Sequence, residues 1–177
     1  MIAMALPALV QRSWLGALGA CALCACSASD GSAAYGTSSA PRVVLGTGEA
    51  VFEPMEGEPH LPLVAGIQGG FHAWASLLAY DFSGDRLDMV LETRVADDPA
   101  SSLVMRARLP LREALDAEGQ PALSFAGFPA QVADARCAHG KRVRVHVTLS
   151  DPAGGSAEDT RHYIAELASN QQRDSCE

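Results

Sequence analysis

Basic side chains are scarce in this chain, and lysine is almost missing: Lys141 stands alone. Thirteen lysines and arginines face 21 aspartates and glutamates, for a net charge of −8 at neutral pH. Affinity for nucleic acid comes largely from basic groups neutralising phosphates, so an acidic chain without a basic run is a poor nucleic-acid binder. The same scarcity argues against electrostatic adhesion to anionic lipid. Long apolar runs are missing too. The stretch Trp14 to Ala25 is bounded by Arg12 and Asp30, short of the roughly 20 residues that a spanning helix needs. Motifs of catalysis are equally absent: no Gly-x-Ser-x-Gly elbow, no P-loop and no dinucleotide fingerprint. His60, His72, His139, His146 and His162 show neither HxxxH nor HExxH spacing, so no metal and no cofactor is expected. Gly46-Thr47-Gly48 leads into a strand pattern, where a phosphate cradle cannot form. Acidic pairs such as Asp97-Asp98 and Glu158-Asp159 fall in turns or on strand faces, the usual places for solvated carboxylates. The expectation is a protein that is not an enzyme.

What the N-terminus does contain is an address. A charged start, an apolar middle and a small-residue end are the pattern of a secretory signal. The endings Leu18-Gly19-Ala20-Cys21 and Leu23-Cys24-Ala25-Cys26 resemble the lipobox of bacterial lipoproteins. That resemblance implies a lipidated cysteine as the mature N-terminus, with Cys26 favoured and Cys21 the alternative. It divides the chain into a signal at 1–25, a flexible Ser/Ala/Gly tether at 26–41, a folded domain at 42–170 and a tail at 171–177. It also implies a cell-envelope protein held to the membrane by its lipid. Ser27 in place of an inner-membrane Asp points by analogy to the outer membrane.

With Cys26 as the anchor, Cys137 and Cys176 are the cysteines left in the mature chain. An even pair in an oxidising compartment is expected to bridge. On the chain-entropy model such a bridge stabilises by about 3–4 kcal/mol.

Within the folded region the dominant period is two. Val143, Val145, Val147 and Leu149 alternate with Arg142, Arg144, His146 and Thr148, which predicts a half-buried strand. Asp151-Pro152-Ala153-Gly154-Gly155 makes a turn, and Thr160–Leu167 returns as a strand, although its apolar spacing also fits a helix. Further strands are predicted over Phe71–Phe82, Arg86–Val95 and Ser102–Leu109, with shorter ones at Thr47–Glu53, Leu63–Ile67 and Ala122–Phe125. Leu111–Ala117 reads as one or two helical turns, with Pro110 before it and Gly119 after. Short strands punctuated by turns predict an all-β, antiparallel sandwich. Cys137 to Ile164 is similar to the closing strands of immunoglobulin-like and fibronectin-like modules, without the buried Trp and inter-sheet cysteine pair of antibody domains.

One segment departs from this grammar: Gly66-Ile67-Gln68-Gly69-Gly70-Phe71-His72-Ala73-Trp74. Crowded glycines mean positive φ or close approach of another group. Two readings stay open. In one, the segment is a glycine-rich turn or bulge. In the other, Gln68, Gly69, Gly70 and His72, with His60 converging, bind a small ligand or a metal, and Met55 and Met105 supply thioethers for copper. The pattern G-x-Q-G-G-x-H resembles predicted lipoproteins of myxobacteria and related bacteria, whose function is unassigned, so the resemblance implies no activity. Two functions follow for the chain: an interaction module that binds an envelope protein or glycan, or a small-ligand or metal-binding lipoprotein.

Overall fold

The computed structural model describes residues 39–67 and 69–171. Alternating side chains build eleven strands: β1 Arg42–Thr47, β2 Glu53–Pro54, β3 His60–Pro62, β4 Val64–Ala65, β5 Phe71–Tyr80, β6 Arg86–Val95, β7 Leu103–Pro110, β8 Arg112–Leu115, β9 Pro121–Val132, β10 Arg142–Ser150 and β11 Ser156–Glu166. One helical turn, α1 Ala135–Ala138, joins β9 to β10. In β10 the four apolar residues from Val143 to Leu149 are buried while their neighbours are not. Each buried Val or Leu side chain contributes roughly 1.5–3 kcal/mol. The segment after the Asp151 turn returns as β11, in register with β10 from Arg142↔Ile164 to Ser150↔Ser156. Its strand character wins over the helical spacing because the hairpin buries Tyr163 and Ala165.

The strands form two sheets. The first has the order β2-β1-β5-β9-β8, with β4 also on β5; the second has the order β3-β11-β10-β6-β7. Every pairing is antiparallel except β3 with β11. With β1, β5, β6, β8, β9, β10 and β11 taken as A to G, the sheets read A-B-E-D and G-F-C, and β7 extends the second sheet as C′. That is the immunoglobulin-like sandwich. Inward residues of both sheets make one core, among them Leu45, Leu77, Met89, Leu91, Val145 and Tyr163. Asp159 on β11 ties the sheets at their margin. It accepts the Leu45 backbone N–H at 2.8 Å and the Arg161 Nε–H at 2.9 Å on the same oxygen.

Three local expectations are corrected. Leu111–Ala117 contains strand β8 and not helical turns, because Arg112–Leu115 pairs with Pro121–Ser124 of β9. Thr47–Glu53 is a turn between β1 and the two-residue β2, and only its ends are in strands. The strand foreseen at Ala122–Phe125 runs on to Val132. Its second half has the opposite parity: Leu123 and Phe125 pack on the core before Gly127, and Phe128, Ala130 and Val132 after it. The register confirms a bulge, since Leu77 pairs with Phe125 while Ala75 pairs with Phe128. One extra residue exchanges the faces of everything beyond it.

Candidate functional site

The glycine segment is a hairpin turn between β4 and β5. The Gly66 N–H donates to the Gly70 carbonyl at 3.0 Å and the Gly69 N–H to the Gly66 carbonyl at 3.1 Å. Gly69 and Gly70 both have positive φ, +87° and +77°, which L side chains adopt only at a cost. Turn geometry therefore accounts for the two of them. Gln68 lies outside the described residues.

His72 follows on β5 opposite Val64 and Gln131. Its residue is 8 % exposed, and its ring meets Trp74 edge-on with centroids 4.5 Å apart. Nε2 is buried without a hydrogen-bond partner among the described residues. Burial holds this imidazole below the ordinary histidine range, and the charge of Glu49 partly opposes that. His60 does not converge on it. It sits on β3 in the second sheet, with Nδ1 2.6 Å from Glu166 Oε1. Met55 is buried in the core and Met105 Sδ accepts the Gln131 N–H at 3.4 Å. Among the described residues no three His, Cys, Asp or Glu side chains gather as a metal site. Cys137 lies on α1, its sulfur 3.0 Å from Asp134 Oδ2; Cys176, Cys26 and Cys21 are outside the described residues.

The structure brings together a second group that the sequence did not suggest. The turn after β1 crosses the outer side of β5. Thr47 Oγ1 donates to the Trp74 carbonyl at 2.8 Å, and Ser76 Oγ donates to the Thr47 carbonyl. The bulge residue Gly127 then donates its N–H to the Gly48 carbonyl at 3.1 Å. Val44, Phe52, Leu78, Tyr80 and Ala122 pack into a small second cluster on this face, and a groove of about 1280 Å3 runs along it towards β8. Arg42 stacks over Tyr80 at 3.7 Å, and the Tyr80 hydroxyl donates to Asp116 at 2.9 Å. Burial, followed by the bond to Asp116, raises the Tyr80 pKa.

The outer face of the second sheet has a different chemistry. Arg86 and Arg94 of β6, Arg106 and Arg108 of β7, and Arg142 and Arg144 of β10 all point outward. The same sheet turns out only Asp88, Glu92, Glu158 and Glu166. An acidic chain thus carries half of its arginines on one face. Alternation marked these positions as outward, but only strand register could show which arginines become neighbours.

No protein-family model matches the chain, and no curated protein sequence does. A solved structure titled "Structure or murine CRIg" is similar at 10 % identity over 72 % of this chain and 98 % of that one, with a TM-score of 0.30. So slight a likeness carries no argument about fold or function.

Proposed function

We propose that this protein is a lipid-anchored, non-catalytic interaction module of the bacterial cell envelope, binding an envelope protein or glycan. The observation that carries this reading is the arginine-bearing outer face of an immunoglobulin-like sandwich. Rigid sheets hold such groups in fixed array, and charge arranged on one face steers and selects partners. The lipobox-like ending supplies the anchor, at Cys26 or Cys21, and by analogy the outer membrane. We assign the disulfide of the mature chain to Cys137 and Cys176, the even pair left after lipidation of Cys26 in an oxidising compartment. The experiment is membrane fractionation with crosslinking. Cys21→Ser with Cys26→Ser should release the protein from membranes. Arg106→Glu with Arg108→Glu should remove the crosslinked partner and leave the protein on the membrane. Membrane retention of the double Ser variant without lipid would contradict the anchor, and an unchanged crosslink would contradict the face.

One observation favours the second reading, a small-ligand or metal site around Gln68–His72: the buried, unpartnered His72 Nε2. Metal analysis of the purified protein tests it. Stoichiometric metal that Gln68→Ala with His72→Ala removes, at unchanged thermal stability, supports this reading. Metal-free protein contradicts its metal form.

A further inference from the structure

Three cationic or proton-binding side chains lie in one row across adjacent strands of the second sheet. Arg144 of β10 is the register partner of Arg94 on β6 and, on its other side, of His162 on β11. Directly opposed side chains in an antiparallel pair have Cβ atoms about 4.5–5.5 Å apart, and like charges so placed destabilise the sheet. The available acids do not neutralise the row. Glu92 Oε1 accepts the Ser102 hydroxyl at 2.8 Å, and its Oε2 reaches Arg144 only at 3.8 Å. Glu58 is engaged by the neighbouring Arg142 at 2.5 Å. Arg94 forms no ion pair among the described residues, and its Nε is buried with no hydrogen-bond partner. The same local field acts on His162, whose pKa falls first through burial and then through Arg142 and Arg144, with Glu58 opposing. A charged donor buried without an acceptor costs free energy, and a facing like charge adds to that cost.

We propose that Arg94 and Arg144 are an anion-binding pair for a phosphate-type, tetrahedral oxyanion. Guanidinium groups present parallel N–H donors that match such oxygens, and two of them side by side serve one group with several oxygens better than one planar carboxylate. His162, at the end of the row, adds a third donor group, a ring N–H. This inference names a ligand chemistry for the face on which the proposed function rests, and its test needs neither a membrane nor the unknown partner.

The test is a titration of the purified full chain in detergent with inorganic phosphate at constant ionic strength, followed through the arginine Nε–Hε signals in NMR. Arg94 and Arg144 signals should shift saturably, with acetate giving a weaker effect. Arg94→Gln and Arg144→Gln should each weaken binding roughly tenfold or more, the loss of a hydrogen bond to a charged group. Arg106→Gln, on the same face but outside the row, should leave it unchanged. In phosphate-free buffer Arg94→Gln should unfold no more easily than wild type, since it removes a repulsion, so lost binding is not lost folding. Absence of a saturable shift, or equal weakening by Arg106→Gln, would overturn the site as diffuse screening. Loss of the crosslinked partner with phosphate binding intact would instead separate the site from the proposed function.

Discussion

The two outer faces of this sandwich are built from the same alternation and end in opposite states. On the first sheet, outward residues Val44, Leu78 and Tyr80 are apolar or aromatic, and the turn after β1 folds over them with Phe52. On the second sheet, arginines, histidines, carboxylates and threonines predominate among the outward residues, with Val90, Val104 and Ile164 between them, and no other segment among the described residues is packed onto them in a hydrophobic cluster. One face is partly covered by the chain's own turn, beside the groove that runs towards β8, and its apolar contacts serve stability. The other is lined with charged groups, one of them the buried and unpartnered Arg94 Nε, and its facing arginines repel rather than support the fold. A face that costs stability and remains open is the better place to look for binding.

The largest effect that sharpens this contrast lies at the bulge. Gly127 has φ +79°, and a Cβ there would sit 2.4 Å from the Glu49 carbonyl oxygen. Gly127→Ala should destabilise by about 3 kcal/mol or more, combining left-handed strain with a backbone clash. Chemical denaturation measures it, and a change near zero would show that the turn does not cap the first sheet as described. A smaller effect is expected for Tyr80→Phe, which removes the bond to Asp116. The loss should be about 1 kcal/mol, checked by the same denaturation. On the second sheet the exposed Arg108–Asp88 contact at 3.7 Å should matter least. Arg108→Ala is expected to change stability by no more than about 0.5 kcal/mol. A larger loss would mean that this face, too, supports the fold.

The contrast was only half legible in the sequence. β10 announced itself, because one covered face and one wet face leave a clean period of two. β6 and β7 were found for the same reason. β5 read as a continuous apolar run because both of its faces are covered, by the core and by the crossing turn. The second half of β9 was hidden by the Gly127 bulge, which reverses the alternation that a reader of single sequences relies on. β8 was mistaken for helix because Arg112 to Leu115 is short, mostly exposed and set between Pro110 and Gly119, where turn and cap signals dominate. For the site, the crowded glycines left positive φ and close approach of another group both open, and the structure gives positive φ at Gly69 and Gly70 but not at Gly66. His60 and His72 could not be separated by sequence, since only the topology assigns them to different sheets. The Arg94–Arg144 juxtaposition depends on the register between β6 and β10, which no local pattern contains.

The most direct test of this division of labour compares Phe52→Ala with Arg144→Gln in ligand-free buffer by equilibrium denaturation. Phe52 is a half-buried aromatic whose ring packs on Gly46, where a Cβ would come within 2.4 Å of it. The account predicts that Phe52→Ala lowers stability by roughly 2 kcal/mol, below the range for a fully buried Phe. Arg144→Gln should leave stability unchanged or slightly raised, because it relieves the facing arginine. A stable Phe52→Ala variant beside a strongly destabilised Arg144→Gln variant would contradict it.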